Sequence, residues 1–257
     1  MIRIYQISNS IAFVSTLVMN YLSNTGIFNE ETMSSISERY NNLFTPAGYA
    51  FSIWGLIYLG LFGFVIYYGP FSKQSEEKNK IIHRTGIWFI VSCFANSLWI
   101  VSWLNDYLLA SVILMIILLI SLLKIIMLNY GTIKSSDIRK KVFFSIPFSM
   151  YGGWVSVALI ANFAAYLQKI EWNAFGMSLT TWTIIMITIA SVLHLYMIWK
   201  KGMNMFAIVA VWAFTAIAVA NNNTNYVVFL YSILTSIVIL VNILYSSYTK
   251  KRLNNKL

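Results

Sequence analysis

Pro46-Ala-Gly-Tyr49-Ala-Phe51-Ser-Ile-Trp54-Gly-Leu-Ile-Tyr58 opens an apolar run that continues to about residue 69. Proline suits the first turn of a helix, where its missing N–H would have no helical partner. A helix starting at Pro46 is therefore expected. At about 100° per residue, Phe51, Trp54 and Tyr58 fall on one stripe of that helix. Crossing a hydrocarbon core about 30 Å thick takes roughly 20 residues, so a run of this length is a membrane span.

The rest of the chain follows the same pattern. Of its 257 residues, 59% are hydrophobic and 10% charged. Seven more segments of spanning length lie at about 5–23, 84–104, 107–129, 143–167, 179–199, 203–220 and 226–248. The fold class is all-α, a polytopic integral membrane bundle of about eight transmembrane helices. The first span is interrupted by Gln6, Asn9, Ser10 and Asn20, and the seventh is short and runs into Asn221-Asn222-Asn223. Arg3 and the apolar stretch after it resemble a signal peptide, but Asn20-Tyr-Leu-Ser-Asn24 is a poor small-residue cleavage site, so an uncleaved first helix is expected.

Charge orders these spans. Lys and Arg concentrate in cytoplasmic loops, and with eight spans the basic residues alternate between the two sides. Arg3, the cluster Lys73 to Arg84, Lys124 to Lys141, Lys200-Lys201 and the tail Lys250, Lys251, Arg252 and Lys256 fall on one side. Only Arg39 and Lys169 of the 18 basic residues are left on the other. Both termini are therefore expected in the cytoplasm. The net charge of +10 orients the chain and contacts anionic lipid headgroups. With no basic soluble domain, a nucleic-acid partner is not expected. Cys93 is the only cysteine, which excludes an intrachain disulfide and a Cys-cluster metal site.

Residues 24 to 45 form the longest connection, polar, acidic through Glu30, Glu31 and Glu38, and extracytoplasmic in this topology. A loop of this length is a functional lid or a mobile segment. Asn105-Asp106 is a tight turn that makes the third and fourth helices antiparallel neighbours.

The aromatic stripe of Phe51, Trp54 and Tyr58 recurs. Asn96, Trp99 and Trp103 repeat its spacing on the third helix, and Tyr151, Trp154, Ala158 and Asn162 form a third stripe on the fifth. Amides in hydrocarbon seek partners, and interhelical bonds of this kind contribute about 0.6 to 2 kcal/mol. Facing the three stripes inward gives an aromatic-walled interior with a few hydrogen-bonding groups, the character of a small-molecule pocket. Trp and Tyr also anchor helices at the membrane interface, the favoured reading for Tyr49 and Trp172. Asn96 and Asn162 read first as interhelical glue. No His/Glu metal pattern, no nucleophile with a spaced base and no paired carboxylates are present, so neither an enzyme nor a cofactor is expected.

These motifs resemble the TspO/MBR family, the tryptophan-rich sensory proteins that include the mitochondrial translocator protein. In that family a P-P-x-W segment leads into W-x-x-L-Y on helix two, with N-x-x-W on helix three and P-Y-x-x-W plus an Asn eight residues on in helix five. Here Pro46 to Tyr49, Trp54 to Tyr58, Asn96 to Trp99, and Met150-Tyr151-Gly-Gly-Trp154 with Asn162 keep those spacings. Ala47, Tyr49, Ile57 and Met150 depart from the family's identities. The resemblance covers about residues 1–167, a five-helix unit, and makes 168–257 a three-helix extension with a short basic tail. It implies a ligand-binding sensory or translocator-like protein for porphyrin-like, isoprenoid-like or sterol-like molecules, held within the five-helix bundle beneath the first loop. The site residues are then Pro46, Tyr49, Phe51, Trp54, Tyr58, Asn96, Trp99, Trp103, Tyr151, Trp154 and Asn162. A secondary transporter of a small hydrophobic or amphipathic solute is the alternative. The resemblance also implies a homodimer, with no face assigned. The charge pattern fits a bacterial-type inner or plasma membrane. Because a proline kinks a helix, Met150 in place of the family's proline is expected to straighten the fifth helix locally, with Gly152-Gly153 partly restoring flexibility.

Overall fold

The structure is a computed structural model and describes residues 2–254. Lys256 of the expected basic tail lies outside the described residues, as do the side chains of Lys250 and Lys251. Eight long helices make the bundle: α1 (Ile2–Leu22), α2 (Ile53–Tyr68), α3 (Glu76–Leu104), α4 (Leu108–Leu128), α5 (Ile146–Lys169), α6 (Leu179–Trp199), α7 (Asn204–Asn221) and α8 (Tyr226–Asn254). The first loop carries a short helix, Met33–Arg39, and no strand occurs among the described residues.

Among the described residues seven of the eight are long and apolar enough to cross a membrane, α2 together with the turn at its start, Gly48–Tyr68. The exception is α1, and its polarity is directed inward. Gln6, Asn9 and Thr16 are buried, while Ile4, Ile7, Ile11, Val14 and Val18 make its exposed stripe. An average over the helix mixes these two faces, whereas lipid meets only the outer one. The helix is also tied along its length. Gln6 Nε2 donates to the Tyr68 carbonyl at 2.8 Å, Thr16 Oγ1 to the Cys93 carbonyl at 3.2 Å, and Asn20 Nδ2 to Asn96 Oδ1 at 3.0 Å.

These contacts run α1 parallel to α3 and against α2. At the same end as Gln6, Asn129 at the close of α4 donates to Thr85, Tyr130 donates to the Lys201 carbonyl, and Asn204 at the start of α7 donates to Ser247 of α8. Successive helices thus alternate in direction, and the start of α1 shares an end of the bundle with the close of α8.

Two starts differ from the sequence expectation. Pro46 is not in a first helical turn: it precedes a 3₁₀ turn at Gly48–Ser52, and α2 proper begins at Ile53. With about three residues per turn, 3₁₀ geometry still sets Phe51 above Trp54. In α5 the irregularity lies at Lys141–Ser145, a π-helical turn just ahead of Pro147. A proline lacks the N–H and crowds the carbonyl four residues back, and a widened turn accommodates both. From Ile146 to Lys169, past Met150, the helix is continuous.

Gly152-Gly153 is a packing device. A Cβ on Gly153 would lie 2.3 Å from the Phe206 carbonyl oxygen of α7, and one on Gly152 would lie 3.1 Å from the Phe206 ring and 3.2 Å from Ile126. The missing side chains let α7 lie directly on α5. His194 belongs to the same seam, with Nδ1 2.7 Å from the Ala190 carbonyl, Nε2 3.4 Å from Ser156 Oγ and its ring 5.1 Å from that of Phe206.

Gly153→Ala is therefore expected to separate α5 from α7 and lower stability by about 1–3 kcal/mol or more, and Gly152→Ala by less, since ring atoms can shift where backbone cannot. Thermal unfolding in detergent checks the ranking; an unchanged Gly153→Ala protein would contradict this packing.

Candidate ligand-binding site

Helical spacing aims the three stripes at one point, and Trp54 occupies it. Its ring stacks on Tyr58 at 5.5 Å between centroids, tilts against Trp99 at 5.8 Å, and meets Tyr151 and Trp154 edge-on at 5.7 and 6.3 Å. Phe51 meets Trp154 edge-on at 6.4 Å, and Trp103 extends the row beyond Trp99 at 6.4 Å. Offset and edge-on pairs match the positive ring edge to the negative face, adding about 0.5–1.5 kcal/mol per pair beyond burial.

A polar chain fixes the orientation of this cluster. Trp99 Nε1 donates to Asn162 Oδ1 at 2.8 Å, Asn162 Nδ2 donates to Ser111 Oγ at 2.8 Å, and Ser111 Oγ donates to the Leu108 carbonyl at 2.7 Å. The chain links α3, α5 and α4 where water cannot substitute for a partner. Asn96 accepts from Asn20 and, at 3.4 Å, from the Tyr58 hydroxyl, which joins α3 to α1 and α2. Trp154 is 3% exposed, and its Nε1–H has no partner among the described residues.

Beside these rings lies a cavity with about 640 Å³ of atom-free space, part of it open to the outside. Pro46, Phe51, Trp54, Trp99, Trp103, Trp154 and Asn162 line it. Tyr58 lines an adjoining cleft instead. Tyr151 supports Trp54 from behind, and Asn96 joins helices without lining the cavity. Tyr49 lies outside, half exposed, with its ring edge-on to Trp212 at 5.2 Å.

Apart from Ala158, already part of the α5 stripe, sequence reasoning did not name the rest of the wall. Val157, Ala158, Ala161 and Ala165 continue the α5 stripe as small residues, and Ser37, Phe44 and Thr45 close the top. Ala213 and Ile217 come from α7, so the cavity is not confined to the first five helices. The small residues of α5 repeat at helical spacing and could have been read as the floor of the Trp154 face. The α7 residues carry no such signal.

The loop above the cavity is ordered by contacts on both flanks. Its helix has a capping box, with Thr32 and Ser35 exchanging side-chain to backbone bonds. Ile36 and Phe44 are fully buried beneath it. On one flank, Trp103 Nε1 donates to the Met33 carbonyl at 3.2 Å, Tyr40 donates to Asp106 at 2.9 Å, and Lys169 pairs with the same carboxylate at 2.8 Å. On the other, Asn221 donates to the Leu43 carbonyl at 2.9 Å, the Ala47 N–H to the Ala216 carbonyl at 3.0 Å, and Trp212 to the Ala50 carbonyl at 3.1 Å. Arg39 pairs with Glu31 within the loop. The two basic residues at this end are thus both paired with carboxylates.

Burial, and then the hydrogen bond and charge of Asp106, raise the Tyr40 hydroxyl above its ordinary pKa of 10.0. The neutral phenol is the form that donates, so this tie is intact below the ordinary tyrosine range and is lost as pH rises through the raised value. Protease sensitivity of residues 33–45 is accordingly expected to stay flat from about pH 6 to 9. Tyr40→Phe and Asp106→Asn should each raise it about fivefold, the equivalent of about 1 kcal/mol. Separately, Asn162→Leu strands the Trp99 N–H and should cost about 1–3 kcal/mol in thermal unfolding; a neutral effect would show that the chain does not organise the cluster.

The family model described as TSPO-like protein matches residues 6–245. No curated protein and no solved structure matches the chain. The matched region begins in α1 and ends in α8, taking in α6–α8 as well as the five helices that carry the aromatic motifs. Its apolar helices make it an integral, multi-pass membrane protein, and the chain belongs to the TSPO-like protein family.

Proposed function

We propose that the protein binds flat or rigid hydrophobic molecules, porphyrin-like or of the isoprenoid and sterol kind, in the cavity beneath the first loop, as a sensory or translocator-like component of the membrane. The observation that carries this reading is the cavity wall itself: four indoles, Trp54, Trp99, Trp103 and Trp154, beside a buried space. Such faces bind planar rings through dispersion and quadrupole contacts. Trp154 adds an N–H with no partner among the described residues, which a ligand carbonyl or carboxylate oxygen would satisfy; leaving such a donor unpaired costs about 1–3 kcal/mol.

Binding is preferred over chemistry and over ion-coupled transport on one ground. The residues lining the cavity include no Asp, Glu, His, Cys, Lys or Arg, the side chains that proton transfer or cation coupling would use. In the orientation that charge favours, both termini face the cytoplasm and the loop faces outward, in a bacterial-type inner or plasma membrane. Homodimerisation is part of this reading, with no face assigned.

Titrating the purified protein with protoporphyrin IX while following tryptophan fluorescence tests the proposal. Saturable quenching is expected, with the affinity lowered at least about tenfold by Trp54→Ala or Trp99→Ala, as for a central aromatic anchor. Trp199→Phe, at an exposed indole of α6, should leave the affinity unchanged. Absence of saturation, or equal affinity in all three variants, would refute the site.

A further inference from the structure

A second space adjoins the cavity on the other side of Trp54. It lies between the lid-end halves of α1 and α2, with about 860 Å³ free of atoms and part of it open. Trp54, Trp99 and Phe51 line both spaces, so one indole wall separates them. The cleft opens sideways: Tyr21, which lines it, is 73% exposed, in a span whose outer face is apolar. Gly55 lines it, and a Cβ built there meets nothing within 4 Å.

Its chemistry is graded along the membrane normal. Asn20, Ser23 and Asn24 line the end near the first loop, at the close of α1, with Gly55 beside them two residues into α2, whereas Leu17 lies deeper. A polar end at interface depth above an apolar trough fits a molecule with a small hydroxyl or carbonyl head and one hydrocarbon chain. Two-chain lipids present twice the apolar width to the same trough. Because Trp54 borders both spaces, a molecule in the cleft reaches its ring from the bilayer without passage under the loop, and a swing of that ring would admit it to the cavity.

We propose that the α1–α2 cleft binds a bilayer-dissolved, single-chain amphipath, head toward Asn20 and Asn24 and chain past Tyr58 and along Leu17, and that it is a lateral antechamber to the aromatic cavity. The antechamber role rests on the ligand-binding reading of that cavity; occupancy of the cleft does not.

The test uses the full chain in phosphatidylcholine nanodiscs with a fatty alcohol carrying a mid-chain diazirine. Photolabelling mapped by mass spectrometry is expected to favour Leu17, Tyr21 and Tyr58 about tenfold over the outer face of α8, the ratio of a specific site to passing lipid contact. Gly55→Leu fills the loop-side end of the cleft, where the head would sit, and should remove that enrichment. It should also slow protoporphyrin association about tenfold while leaving its equilibrium affinity unchanged, because Gly55 does not line the cavity; the retained affinity shows that the variant is folded. Labelling spread evenly over the lipid-facing surface, or enrichment untouched by Gly55→Leu, would overturn the site. Enrichment lost but association rate unaltered would overturn the antechamber role. Enrichment in a wild-type protein that binds no protoporphyrin would retain the cleft and reject the cavity reading with its antechamber.

Discussion

The packing of Trp54 against Tyr58, Trp99, Tyr151 and Trp154 is the contact on which the aromatic half of the molecule depends. One indole from α2 meets rings from its own helix, from α3 and from α5, so the rotation of each helix about its axis is set by the same residue. In a bilayer, burying apolar surface gives little advantage over leaving it in lipid, and shape and hydrogen bonding must select the arrangement. The Trp99–Asn162–Ser111 chain supplies the second half of that selection, because turning any of these helices would strand an amide or an indole N–H in hydrocarbon.

That constraint leaves a cavity because the opposing surface is made of small side chains. Ala158, Ala161 and Ala165 of α5 face the indoles of α2 and α3, and Ala213 of α7 completes the wall. α7 can reach this position because Gly152-Gly153 presents bare backbone to Phe206. The same helix anchors the segment leading into α2 through Ala216, Trp212 and Asn221. Of the last three helices, α7 is thus built into the roof and wall of the candidate site, and the extent of the family match takes in that helix.

Much of this was legible in the sequence because periodicity and membrane thickness are strong constraints. The span expected at about 179–199 is α6, Leu179–Trp199, and the aromatic spacings on α2, α3 and α5 do converge. What stayed hidden has physical causes. The role of α7 rests on Ala213 and Ile217 in the wall and on bonds from Trp212 and Asn221 to carbonyls more than 160 positions away, which carry no spacing signature. Pro46 was placed inside a helix because a 3₁₀ entry keeps the same three-residue aromatic spacing as an α-turn. Tyr49 matched a motif position, yet its ring is held outside by Trp212, a partner 163 positions along the chain that local pattern cannot supply. The hydropathy of α1 understated its fit to the membrane, since an average cannot separate an outer face of Ile and Val from an inner face of Gln, Asn and Thr.

The most direct measurement is an experimental structure of the protein with protoporphyrin IX bound in a lipid nanodisc. The account predicts ligand density beneath the first loop, in contact with the rings of Trp54, Trp99 and Trp154, with an oxygen within hydrogen-bonding distance of Trp154 Nε1. Density confined to the outer, lipid-facing surface, with the indole-lined cavity unfilled, would contradict it.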